Sequence, residues 1–483
     1  MGKTLAKTTG DVAGTGVKVL LDSSSTVSKV AWDTLTTADK IVQDTANVIL
    51  QVRDDTLTTS VHAAGLAVSP AAADAVLEFA TKVFTAASAS AIVDTILGVI
   101  HRSLEALTQS LSGAALILRD IYTNDANKVT TSYILNNLPA LFLFLYDLIK
   151  PENVIPGFAP AVNGVVGGGV LGGSNPYNEL DLEQEVNRNA LVYQAQRLAL
   201  SLVEILRLGR DYMPQRKLED IKINVKLRSD FGGGDKPPEP TYTSKLGGDL
   251  VSRANEKWLF VNGIANELVW FEASCNKVRD RFGREVKGVF NRSDGFLWDL
   301  VECAGERSAA ESNKLIERTE SSRAAQTVLG KELESALWPE KGTPPEKVVM
   351  IAHSQGCLLL RLVLQDMVQR YGEGSPKRND MKERLRVFTF ANPSIDWRVI
   401  DDGTKQPLSS YAKITEHFAH ELDFVARLGV ATHQRTGYGD DVVFYSTNGR
   451  GHLFGAHYPL EAGAYEQGAE SKLLRAVDGN EIS

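Results

Sequence analysis

The sequence predicts an α/β fold for residues 249–483, a mostly parallel sheet flanked by helices, preceded by a large all-helical region over residues 1–175. Three observations predict it. Beyond residue 249, short apolar runs alternate with helix-length stretches, the pattern of parallel strands joined by crossovers. Before residue 175, apolar residues recur every three or four positions and no run alternates with period two. A chain of 483 residues also exceeds one compact core, so more than one domain is expected.

The first region is rich in Ala, Thr, Val and Leu and poor in charge. From Val27 to Val52 the apolar positions Val30, Ala31, Ala38, Ile41, Val42, Val48 and Ile49 mostly follow helical steps, opposite an Asp- and Thr-rich face. Ala71–Ala89, Ala91–Leu118 and Thr131–Ile149 also read as helices, with Pro70 near one start and Pro151 after one end. Residues 154–176, VIPGFAPAVNGVVGGGVLGGSNP, are apolar and almost uncharged, unlike a solvated linker. They read as a packed loop, or else as a flap over an apolar site or a membrane-touching segment. Residues 176–248 connect the two parts through a helix at 179–212, a period-two strand at Ile221–Leu227 and a Gly/Pro-rich loop at Phe231–Gly248.

In the second region the expected strands are Trp258–Val261, Val286–Phe290, Val348–Ile351, Leu385–Phe390, Ala412–Phe418 and Val442–Tyr445. The expected helices are Glu267–Phe282, Leu297–Ala304, Ala309–Leu337 and Gln355–Tyr371. No internal repeat is visible.

Composition narrows the function classes. A net charge of −8 gives no general basic surface, which argues against nucleic acid as the main partner. Cys275, Cys303 and Cys357 are an odd set without CxxC spacing, so neither a disulfide framework nor a zinc site is expected. The N-terminus lacks the apolar core and cleavage site of a secretory signal, and Ala6 stands where a myristoylation motif needs Ser or Thr. No uninterrupted apolar run reaches the roughly 20 residues of a membrane span. An intracellular protein, soluble or peripherally attached, is the expectation.

The stretch KVVMIAHSQGCLLL, Lys347–Leu360, carries the chemistry. A serine lifted out of a sheet needs a sharp strand-to-helix turn, and the residues two before and two after it must be small because strand and helix backbones pass close by. Ala352 and Gly356 flank Ser354 in that spacing, after an apolar strand and before an apolar helix. The alternative for this stretch alone is an ordinary βα turn. The amide of Gln355, at the helix start, would donate to a developing oxyanion. In such an architecture an acid and a histidine follow the serine on the tips of later strands. Asp423 follows the strand ending at Phe418, and Asp396, one strand earlier, is the alternative acid. His452 and His457 share the loop after the last strand; His452 is the favoured base and His457 the alternative. A second oxyanion donor is sought after an earlier strand, where Asn262-Gly263 would aim the amide of Ile264 into the site.

These motifs resemble the α/β-hydrolase superfamily of serine esterases and lipases. The elements are LFVNGI as the oxyanion-loop strand, VVMIAHSQG as the nucleophile elbow, HELDFVARLG as the acid loop and GHLFGAHY as the histidine loop, spanning roughly Lys257 to Glu466. The elbow looks most like that of lipase-type proteins reading His-Ser-Gln-Gly. The chain departs in Ala352, where the first glycine is usual, and in Asn262, where many lipases carry histidine. The resemblance implies a serine hydrolase of carboxylic esters, with lipid-like or apolar acyl groups favoured, and neither a metal nor an organic cofactor. The alternatives are an acyltransferase using the same triad, or a non-catalytic helical scaffold with a vestigial hydrolase fold. The resemblance does not cover residues 1–230. Those helices are expected to form a lid or assembly surface, or to bind an apolar lipid or membrane surface.

Overall fold

The computed structural model describes residues 175–181, scattered residues between 184 and 197, residues 239–247, and residues 255–482 apart from short gaps. The gaps are 296–298, 301, 304–305, 309–315, 317–318, 440, 447–448 and 450. The helices expected before residue 150, most of the 154–176 segment, the Ile221–Leu227 strand and the surface-binding role of residues 1–174 lie outside the described residues.

The described chain has an α/β architecture. Its seven-stranded sheet runs in the order β1-β3-β2-β4-β5-β8-β9. The strands are β1 (Thr241–Ser244), β2 (Glu256–Val261), β3 (Val286–Val289), β4 (Lys347–His353), β5 (Leu385–Phe390), β8 (Ile414–His420) and β9 (Val442–Ser446). Every pairing is parallel except that of β1, which runs antiparallel on β3. The hairpin β6 (Arg398–Asp401) and β7 (Thr404–Pro407) forms a separate small sheet. Burial follows sheet position. Every residue of β4 and β5 is buried, as expected for central strands covered on both faces, whereas β9 at the edge is mostly half-exposed.

Helices α1 (Leu268–Phe282), α2 (Glu320–Leu337) and α3 (Gln355–Arg370) cover the sheet, and α4 (Pro376–Arg384) leads into β5. Helix α1 packs on β1 and β3, while α2 and α3 lie side by side. The chain steps from β2 one way to β3, and then the other way from β3 to β4 and on to β5. With right-handed crossovers, those steps place α1 on one face and α2 and α3 on the other. The reversal falls between β2 and β4. Such a switch point opens a crevice at the carboxyl ends of the two strands, and that is where an open parallel sheet holds its functional groups.

Three expectations change. Thr241–Ser244, read as part of a loop, is the antiparallel edge strand β1. The helix expected at Ala309–Leu337 is interrupted at Thr319, whose extended backbone caps α2. The helix expected from residue 179 begins later: residues 179–184 are non-helical where described, and Val186, Asn187, Ala190, Tyr193, Gln194 and Arg197 are helical. This stretch is tied to the sheet region. Arg197 is buried and donates from Nε to Glu267 at 2.8 Å, and Trp270 donates its indole N–H to Asn187 at 2.9 Å. No helix among the described residues is long and apolar enough to cross a membrane.

Candidate active site

Ser354 sits where β4 ends and α3 begins, with φ 57° and ψ −127°. A non-glycine residue here is strained by about 1–3 kcal/mol, and such strain persists only where the surroundings fix the backbone. They do so: the Ser354 N–H donates to Phe390 O at 2.8 Å, and its carbonyl accepts from Cys357 N–H at 2.9 Å. Small neighbours make room for the turn. A Cβ on Gly356 would lie 2.6 Å from the carbonyl oxygen of Asn262 and 2.9 Å from that of Val261. A Cβ on Gly263 would lie 2.2 Å from Ser354 Cβ. The loop after β2 therefore touches the serine, across the switch point.

The structure brings Ser354, His452 and Asp423 together. His452 Nε2 is 2.8 Å from Ser354 Oγ, and His452 Nδ1 is 2.8 Å from Asp423 Oδ2. An ionised carboxylate only accepts hydrogen bonds, so the Nδ1–H faces Asp423 and the lone pair of Nε2 faces the serine hydroxyl. Asp423 comes from the turn after β8, where it caps the short helix α5 (Phe424–Leu428) and accepts the Val425 N–H at 2.9 Å. The Tyr458 hydroxyl donates to Asp423 Oδ2 at 2.6 Å. Burial pushes this carboxyl up, but His452 and the Tyr458 hydroxyl outweigh burial and hold it below 3.8. All three residues are buried. Exclusion of water strengthens each of these hydrogen bonds.

The alternatives fall elsewhere. His457 Nδ1 accepts the Leu453 N–H at 3.1 Å, and its pKa is lowered to about 3, mainly by burial. It is held neutral as part of the loop. Asp396 forms an ion pair with Arg361 Nη1 at 3.4 Å. His353, beside the serine, donates from Nε2 to the His452 carbonyl at 2.8 Å, and its ring lies 4.8 Å from that of His452. Burial lowers its pKa, and His452 lowers it further.

The two expected oxyanion donors lie on a shared polar scaffold. Gln355 opens α3, and its side chain is occupied: Asn291 donates to Oε1 at 2.6 Å, and Nε2 donates to Glu302 at 2.6 Å. Only its backbone N–H is left to serve the site. Ile264 is buried in the loop that touches Ser354, and the next residue, Ala265, has φ 52°. The Ala265 N–H donates to the buried carboxyl of Asp299 at 3.2 Å, which holds the loop in this turn. Asp299 also accepts the Asp294 N–H at 3.1 Å and the Ser293 hydroxyl. Burial, with the Asp294 charge added, raises its pKa from 3.8 to about 7. Asn262 has a structural use. Its side chain accepts the Asn291 N–H and donates to the Asn291 carbonyl, both at 2.8 Å, clipping the loops after β2 and β3 together.

Sequence reasoning missed Tyr458, His353, Asp299 and Glu302. Each acts through a partner distant in sequence or through a backbone group, and no spacing in a single chain signals that. Among the described residues, no group of His, Cys, Asp and Glu is arranged to hold a metal ion. The three cysteines are buried and free. An imidazole lone pair facing a serine hydroxyl, with the imidazole fixed by a carboxylate, can take the hydroxyl proton as the oxygen attacks an acyl carbon. Compared with protein-family models, curated proteins and solved structures, the chain matches none of them.

Proposed function

We propose that the chain is a serine hydrolase of the α/β-hydrolase type that cleaves carboxylic esters through an acyl-enzyme on Ser354. The observation that carries the reading is the unbroken chain from Ser354 Oγ through His452 to Asp423, with both contacts at 2.8 Å. His452 takes the hydroxyl proton as Ser354 attacks the ester carbonyl, then returns it to the departing alkoxide. Water, deprotonated by the same imidazole, releases the acid. Asp423 holds the tautomer and stabilises the imidazolium. The amides of Gln355 and Ile264 receive the oxyanion. Ser354 is buried, so an ester reaches it only after the covering residues move.

The resemblance of the elbow to lipase-type sequences makes apolar acyl esters the first substrates to assay. Acyl transfer to an alcohol would share the acyl-enzyme and differ only in the second acceptor. A fluorophosphonate probe tests the reading. Wild type and His457→Ala should label, while Ser354→Ala and His452→Ala should not. A folded wild type that stays unlabelled sinks the proposal and leaves the scaffold reading.

A further inference from the structure

Helix α6 (Phe454–His457) begins two residues after His452 and is a single turn. So short a helix satisfies few of its own backbone groups, and the rest need outside partners. Two buried ions supply them. The Glu179 carboxylate accepts the N–H groups of Gly455 at 2.7 Å and Ala456 at 2.6 Å. The Lys277 ammonium, from α1, donates to the carbonyls of Phe454 at 2.7 Å, Gly455 at 2.9 Å and Tyr458 at 2.8 Å. Asn175 adds a third grip, donating to the Gly455 carbonyl at 3.1 Å. The anion thus meets the donor end of the turn and the cation its acceptor end, in the sense that the peptide dipoles favour.

The gripped segment follows the base closely and carries a partner of the acid. His452 precedes it, and Tyr458, which closes it, donates to Asp423. Burial lowers the Lys277 pKa to about 8 against the pull of Glu179 and Glu461, and burial raises that of Glu179. Two ions taken out of water seldom stabilise a fold more than apolar residues of the same shape would. What this pair supplies is a fixed orientation, because five charge-assisted hydrogen bonds define where the turn sits.

We propose that Glu179 and Lys277 are positioning residues that clasp the 454–458 turn from opposite ends and so keep the His452 imidazole on Ser354 and Asp423. The inference rests on the triad reading above. It also makes residues 175–179, which precede the first strand of the sheet by more than 60 positions, part of the support of the site.

The test uses the full chain with Lys277→Met and Glu179→Gln, which remove charge at nearly constant volume. Three measurements are made on each: circular dichroism with thermal unfolding, kcat and KM on a p-nitrophenyl ester, and the low-field proton resonance of His452 Nδ1–H. The resonance requires no turnover. Folded Lys277→Met should lose about 100-fold in kcat with KM within about twofold, the size expected for a misplacement near 1 Å, and its low-field resonance should broaden or vanish. Glu179→Gln should lose about tenfold. Wild-type kcat and an unchanged resonance in a folded variant overturn the proposal while the hydrolase reading stands. If Lys277→Met does not fold, Glu179→Gln decides by the same criteria. If the wild type neither turns over nor labels, yet shows the resonance and the folded variants lose it, the clasp stands and the hydrolase reading falls.

Discussion

Replacement of Asp299 by Asn isolates the buried carboxyl that holds the loop after β2. Asp299 carries a pKa raised from 3.8 to about 7, chiefly by burial, with Asp294 adding to it. Below about pH 4 the proton is bound whether the chain is folded or unfolded. Above about pH 7 it is bound in neither state. Between the two it is bound only in the folded state, so unfolding releases a proton and stability falls as pH rises through this window. The shift is about three units at ~1.4 kcal/mol each, which makes the full loss ~4 kcal/mol. The assay is denaturant unfolding of wild type and Asp299→Asn at steps from about pH 4 to pH 8, read as the difference in unfolding free energy. Glu302 is raised by burial and then by the Asp299 charge, so the series is repeated in a Glu302→Gln background, where the difference reports Asp299 without that coupling. Wild type should lose ~4 kcal/mol relative to the variant across the range. A difference that does not change with pH would refute the assignment of this proton to Asp299.

Tyr458→Phe removes one of the donors on Asp423 and should lower kcat about tenfold with the fold intact, the lower end of what one hydrogen bond to a charged group contributes; steady-state kinetics check it. Gly356→Ala forces a Cβ against two backbone carbonyls and should destabilise by ~1–3 kcal/mol and abolish fluorophosphonate labelling. Gly330→Ala is the contrasting case. Its Cβ would find only Val363 at 3.8 Å inside α2, so denaturant unfolding should show a gain of ~0.5–1 kcal/mol. Asp423→Asn should reduce the labelling rate roughly 10⁴-fold, as expected when the base is left in the wrong tautomer. Asp396→Asn should label normally and lose ~2 kcal/mol of stability, because Arg361 keeps its bonds to Ser394 and to the Glu306 carbonyl.

Local patterns carried much of the α/β region. Leu385–Phe390 is a strand at its predicted bounds. Val348–Ile351 lengthens to Lys347–His353 because the flanking residues still find partners, Lys347 opposite Glu256 and His353 opposite Phe390. Ala412–Phe418 shifts two residues later because Ala419 and His420 pair with Tyr445 and Ser446 of β9. Such boundaries are set by neighbouring strands and cannot be read from one segment. The β6–β7 hairpin has a local sequence signal. Asp402-Gly403 is a two-residue turn signal, and both residues have positive φ, 46° and 77°. The elbow was legible because its steric demand is local, and Asp423 and His452 because chain order and strand tips confined the search. The grip of Glu179 and Lys277 on the histidine loop joins residues 276 to 277 and 177 to 181 positions apart, and no local pattern encodes it.

The sheet order gives the site uneven kinetic footing. Ser354 ends β4, which has a strand on either side, whereas His452 follows β9, which among the described residues pairs with β8 alone and ends the sheet. Amides of a central strand exchange with solvent only when the whole sheet opens, while an edge strand exchanges through smaller, more frequent openings. Each opening of β9 loosens the root of the histidine loop while the serine elbow stays folded. On heating, loss of labelling should therefore run ahead of loss of helical circular dichroism, and hydrogen exchange should show β9 giving way before β2, β4 and β5. Ser354 is as durable as the core; the placement of His452 lasts only as long as the sheet's margin.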